Sequence, residues 1–451
     1  MESRMEPLQK KTIIKWIVWI ALFVLLGILA SGHYKKLLYG RDHTITIGVF
    51  SDSYWEVQNG YSYRILDDAI AAFEKEHPGV KVEYTSGVMK KDYSKWLAGH
   101  LVKGDAPDVF FVLKSDFNEL SETGTLMDLS KLIKQDDEFA TDDYYQAALL
   151  SGKYLDTQYA LPYECAPKLM FVNKTILNQE GISMPAEDWT WDDFYELCRK
   201  VTKDTNGDGV TDQFGLTGYS WKDAFRENGV SIFSEDGSSC HLLGEDIEAA
   251  IHHIERLNDL SNGYSVTTKD FDHGNVAFMP MLFSEYRAYK SYPLSIKKYS
   301  GFEWECVAMP AGPDGDNVST LDTLLLGMNA DTPHEKLAWE FMKQLTADTD
   351  IQSEIFDYSE GVSVLKDVTE SDETRIVLER AAGENVTMNP KVLGDVLDHA
   401  VAEPAFYNYD LAMQQIDQMM QDIIGGDQNI SMELIISNRK INQYLKDMQS
   451  N

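Results

Sequence analysis

The chain has 451 residues, too many for one ordinary domain, and its 43% hydrophobic and 25% charged content excludes an intrinsically disordered protein. With 40 Lys and Arg against 73 Asp and Glu the formal charge is −33, an acidic surface that repels phosphate backbones and excludes nucleic acid as the expected partner. Cys165, Cys198, Cys240 and Cys306 are too few and too scattered for a disulfide scaffold; buried free thiols are expected, with a disulfide as the alternative.

The first 42 residues form a separate segment. No charge falls between Lys15 and His33, residues 16–30 are an unbroken apolar run, and Arg4, Lys10, Lys11 and Lys15 precede it. That pattern predicts a cytoplasmic N-terminus with the remainder exported. The run fits an uncleaved anchor at the outer face of the membrane. A cleaved signal is the alternative, because Ala30-Ser31-Gly32 reads as a small-residue cleavage site. No cysteine follows the run, so lipid attachment at a processed N-terminus is not expected. Without residues 1–42 the chain holds 33 basic and 70 acidic residues, a formal −37.

The exported part opens with an alternating strand over 44–50. A helix follows in which Ile65, Ala69 and Phe73 share a face, and it stops at His77-Pro78-Gly79 because proline removes a donor and disfavours helix before it. Val80, Val82 and Tyr84 alternate as a second strand, and a helix carrying Trp96, Leu97 and Leu101 runs to Gly104. Residues 108–113 are apolar enough for a strand covered on both faces. Strand, helix, strand, helix, strand is the signature of a parallel α/β sheet. The pattern restarts with a buried strand over 168–172. Thr190 and Asp193 then read as a capping box ahead of Phe194, Leu197, Cys198 and Val201, and Ile247, Ala250, Ile251, Ile254 and Leu257 mark a further helix. Strands are predicted over 302–309 and 323–328, and helices over 335–345, 374–382, 411–424 and 432–448. Two α/β lobes joined by several chain crossings fit this order.

Several segments, in order, resemble the family-1 extracellular solute-binding proteins of ABC importers, the sugar-binding type related to maltose-binding protein. They are residues 73–84, 104–111 with 119–130, 161–174, 188–194, 204–215, 274–279, 307–315 and 338–346. The resemblance implies a two-lobed, periplasmic-binding-protein-like fold of type II, each lobe a mostly parallel sheet flanked by helices, behind the N-terminal hydrophobic segment. It places lobe one at 43–160 plus 320–357 and lobe two at 161–319 plus 358–448. It implies a monomer, without enzymatic activity and with no required cofactor, that closes around its ligand and hands it to a membrane permease. A surface receptor of the same fold signalling to a sensor kinase is the alternative.

Ligands of open α/β sheets sit beyond the carboxyl ends of strands. There the sequence places Asp52 and Trp55 after the first strand, Lys114 and Asp116 after the third, Tyr163 and Glu164 at the crossing into lobe two, and Phe283 and Tyr286 where the family commonly has an aromatic. Trp55, Tyr163, Phe283 and Tyr286 suit stacking on a sugar's C–H face; Asp52, Asp116 and Glu164 suit hydrogen bonds from its hydroxyls. Three carboxylates against Lys114 favour an uncharged saccharide and leave a polyamine open. Core packing is the duller role for each ring, and capping the duller role for Asp52 and Asp116.

Asp204, Asn206, Asp208 and Asp212 match positions 1, 3, 5 and 9 of a calcium loop, with Gly209 at the turn, but position 12 is Gly215 instead of a chelating Glu. A structural calcium and a metal-free polar turn are both open. His334-Glu335 is not followed by the second histidine of a zinc pair, and no G-x-S-x-G or phosphate-cradling motif occurs. Adjacent residues of a helix do not share a face, so at least one of His252 and His253 is expected to face solvent, with both solvated as the preferred reading.

Overall fold

β1 (His43–Gly48) forms as its alternation predicts, with Ile45 and Ile47 buried and Thr44 exposed. The computed structural model describes residues 43–55, 61, 63–291, 302–382, 386–387, 390–426 and 428–449. The expected anchor at 1–42 lies outside them, and among the described residues no helix is long and apolar enough to cross a membrane. β1 is flanked by two parallel neighbours, β2 (Val80–Tyr84), with Ile45 opposite Val82, and β3 (Val109–Val112), with Ile47 opposite Val109. The connecting helices bury the stripes their spacing dictates: Ile65, Leu66, Ala69 and Phe73 on Arg64–Glu76, and Tyr93 and Leu97 on Lys90–Lys103. The second ends at Gly104, whose φ of 74° is the left-handed conformation glycine adopts without steric cost.

A small hairpin of β4 (Lys153–Tyr154) and β5 (Thr157–Gln158) precedes β6 (Ala160–Asn173), a strand of 14 residues. β7 (Phe214–Leu216), β8 (Val276–Leu282), β9 (Trp304–Val307), β10 (Leu321–Met328), β11 (Val362–Ser363) and β12 (Val386–Thr387) follow. Among the described residues the main sheet has ten strands; its path runs β12-β9-β6-β10-β3-β1-β2, with β8 and β11 also on β6 and β7 on β8. The first part of β6 pairs with β10 (Cys165 opposite Thr323), and the last part with β8 and β9 (Phe171 opposite Met279 and Cys306). One strand therefore serves both halves. The expected parallel pairing holds at β1–β2, β1–β3, β7–β8 and β9–β12, whereas every ladder on β6 and β10 is antiparallel. These two strands arrive by long-range crossings and not as βαβ returns.

Past β10 the chain stays with the first half. Helix Glu335–Thr346 and the short helix Ile355–Tyr358 pack on helix Arg64–Glu76, and β11 sets Ser363 opposite Glu164. Helices Trp221–Glu227, Glu245–Asp259, Tyr409–Ile424 and Ile430–Gln449 gather around a separate core that includes Phe225, Ile251, Ile416 and Leu434. The four cysteines are buried, and no disulfide forms among them.

Candidate functional site

Four of the expected ligand residues, Asp52, Trp55, Tyr163 and Glu164, come together where the segment after β1 meets β6. Asp52, Tyr163 and Glu164, with Tyr54, Tyr358 and Ser359, line a cavity of about 60 Å³. Asp52 also accepts the backbone N–H of Lys90 at 2.5 Å and so caps the helix that begins there, the duller role foreseen for it. Tyr163 is buried with its ring 5.1 Å from that of Phe111, so truncating it opens a core void as well as altering the cavity.

Glu164 is 4% exposed and accepts a hydrogen bond from the Ser359 hydroxyl. Burial pushes its carboxyl up to about 7 against the pull of Ser359 and Trp55; Glu360 raises it further and Arg287 lowers it. The buried Trp55 indole N–H favours the Glu164 carboxylate, although its nitrogen makes no hydrogen bond. Arg287, from helix Phe283–Ser291, donates to the carbonyls of Ile355, Phe356 and Gly361 and ties that helix to the segment carrying Ser359.

A second cluster lies beyond β3 and β10. Lys114 forms an ion pair of 2.6 Å with Glu403, in the segment before helix Tyr409–Ile424. Two cavities of about 50 Å³ each flank Glu403-Pro404. Lys114, Ser151, Thr323, Tyr409 and Asp410 are among the residues lining one; Trp221, Lys222 and Arg226 are among those lining the other. Although burial opposes its charge, Glu403 is held below the usual carboxylate range by Lys114, Arg226 and Lys222. Asp410 is raised, chiefly by burial. Asp116, the fifth expected ligand residue, belongs here: it accepts from Ser94 at 2.6 Å and from Ser115 at 3.2 Å, and its charge reaches Asp410. Tyr407 is 48% exposed, and its backbone N–H donates to the hydroxyl of Tyr154 on the β4–β5 hairpin. Sequence reasoning missed Glu403, Asp410 and Tyr358, which line these cavities, and Asp322, which accepts from the Tyr54 hydroxyl at 3.2 Å; no local pattern marks them.

Phe283 and Tyr286 are a correction. They are 0% and 2% exposed, packed on each other and, through Tyr286, on Phe171 and Trp304. A stacking ring must present a face, and helix Phe283–Ser291 turns both into the core. Trp191 is buried and donates to Glu227 at 2.9 Å. His253 is a second correction: it is 3% exposed and stacked on Trp191 with centroids 4.3 Å apart, while His252 faces outward beside Glu255.

In the 204–212 loop the acidic oxygens turn to the loop's own donors. Asp204 accepts the N–H groups of Asn206, Gly207 and Gly209, Asp208 that of Val210, and Asp212 those of Thr205 and the Asn206 side chain. Among the described residues no three His, Cys, Asp or Glu side chains converge to hold a metal. The geometry is that of a self-satisfied polar turn.

A mixed sheet continuous between two α/β halves, with small cavities where the halves meet, defines a two-lobed binding protein. Residues 59–350 match the family described as bacterial extracellular solute-binding protein, and the chain belongs to that family. It is 22% identical over 300 residues to an uncharacterized lipoprotein in the oleD 5′ region of Streptomyces antibioticus, covering 61% of this chain and 62% of that one. It is 24% identical over 287 residues to the galactooligosaccharide-binding protein of Bacillus subtilis, covering 61% and 64%. The chain thus spans less than two thirds of these relatives' own length. The sugar-binding protein MalE of Xanthomonas citri shares the fold, with a TM-score of 0.73 at 15% identity over 90% of this chain and 98% of that one.

Proposed function

We propose that the chain binds an oligosaccharide outside the cell and delivers it, unchanged, to an ABC-type permease. The observation that carries this reading is the cluster of charged and hydroxyl groups (Lys114, Glu403, Asp410, Thr323 and Ser151) at a cavity between elements of both halves that Tyr409 also lines. Carboxylates and an ammonium bind a hydroxyl rim with charge-assisted hydrogen bonds, and a tyrosine face packs on the C–H side of a pyranose. Cavities of about 50 Å³ are too small for a sugar ring, so a ligand enters as the halves part and is enclosed as they close. The resemblance to sugar-binding relatives supports the same ligand class. The apolar segment at 16–30 would hold the protein at the outer membrane face. A thermal-shift screen of the purified protein against mono-, di- and oligosaccharides tests the reading. A rise in melting temperature with one saccharide series is expected, with no hydrolysis product after prolonged incubation; no response to any saccharide, or turnover of one, refutes it.

A further inference from the structure

We propose that Lys114 sets the charge of the ligand: it supplies the carboxylates of the cleft with a cation from within the chain, so that the cleft admits uncharged ligands and turns amine-bearing ones away. This rests on the saccharide reading above and narrows its ligand class. Lys114 is the first residue of helix Lys114–Glu122, at the carboxyl end of β3, and its side chain is 47% accessible. Its Nζ lies 2.6 Å from Glu403, and the charges of Asp322 and Asp410 also act on it. Three carboxylates therefore act on the Lys114 ammonium, and Asp410 lines the same cavity as the Lys114–Glu403 pair.

Left uncompensated, carboxylates that converge on a cavity concentrate cations there, and an amine from solution would find several partners at once. The Lys114 ammonium already fills that role. An incoming amine must either displace it or sit beside it, and two ammonium groups in one corner repel each other. A saccharide hydroxyl meets no such conflict, because it accepts from the ammonium with its oxygen and donates to a carboxylate with its proton. The half-exposed lysine stem is flexible, so the head can follow a ligand without leaving a buried charge unpaired.

The test is isothermal titration calorimetry of spermidine at low salt and pH 7 into the wild type, Lys114→Gln, Lys114→Met and the double variant Lys114→Gln with Glu403→Gln. Each is also titrated with whichever saccharide stabilises the wild type, and each melting curve is recorded to verify folding. Both single variants are expected to bind spermidine at least tenfold more tightly than the wild type, and the double variant to lose most of that gain. Single variants that bind spermidine no better than the wild type, or a gain untouched by Glu403→Gln, overturn the assignment. A wild type that binds a saccharide while its variants stay blind to spermidine refutes only the role of Lys114. A wild type that binds spermidine and no saccharide refutes the saccharide reading itself.

Discussion

Replacing Glu164 by Gln should flatten part of the protein's pH–stability profile. Folded, the carboxyl titrates near 7 because burial penalises its charge; unfolded, it returns to its ordinary value of 4.5. Below pH 4.5 both states hold the proton and the group contributes no pH dependence. Between 4.5 and 7 the unfolded chain has released a proton that the folded one still holds, so stability falls as pH rises, by ~1.4 kcal/mol per unit, and levels off above 7. The whole window is worth about 3 kcal/mol. Glutamine keeps the shape and an oxygen for the Ser359 hydroxyl but carries no proton to lose. Urea unfolding followed by tryptophan fluorescence should find the two proteins of similar stability at pH 4.5. At pH 8 the Gln variant should be more stable by an amount approaching about 3 kcal/mol. Glu354, also raised to about 7 chiefly by burial, tilts both curves alike and cancels in the difference. A stability difference that does not change across this pH range would refute the argument.

Other outcomes follow from single contacts. Asp223→Ala removes the partner of Lys168 at 2.5 Å and the capping acceptor of helix Trp221–Glu227, and should cost about 3 kcal/mol or more in urea unfolding. Gly361→Ala would put a methyl 2.6 Å from the Glu164 carboxylate and 3.0 Å from the Trp55 indole nitrogen; a melting temperature lower by several degrees is expected. Millimolar calcium should leave the melting temperature unchanged, since the oxygens of the 204–212 loop already serve its own N–H groups; a clear rise would show that a cation displaces them.

What could be read in advance was local. The Thr190–Asp193 capping box and the buried stripe Ile247, Ala250, Ile251, Ile254 and Leu257 stand where spacing put them, because a helix repeats every few residues and its caps are its neighbours. His253 was legible by the same rule, three residues after Ala250 and four before Leu257, yet the polarity of its type suggested solvent. The rings of Phe283 and Tyr286 misled for the opposite reason: a strand end is the right place for a ligand contact, but the turn of the following helix decides which way a side chain faces. Asp52, just past β1, and Tyr163 and Glu164, inside β6 at the crossing between the halves, were named from the order of elements and line one cavity. Glu403 and Asp322 were not, since they come within reach of Lys114 and Tyr54 only through pairings hundreds of residues apart in sequence. No short-range periodicity encodes such a meeting.

The strand shared by both halves has a consequence for biosynthesis. β10 fills the gap between β3 and β6, and β11 pairs with the same stretch of β6, so a chain emerging N-terminus first cannot complete its first-made half before residue 363 is available. A fragment cut anywhere within β6 would leave each piece without the middle of its own sheet. The polypeptide is thus assembled late and all together, and a truncated copy presents open sheet edges to the export and quality-control machinery in place of a usable half.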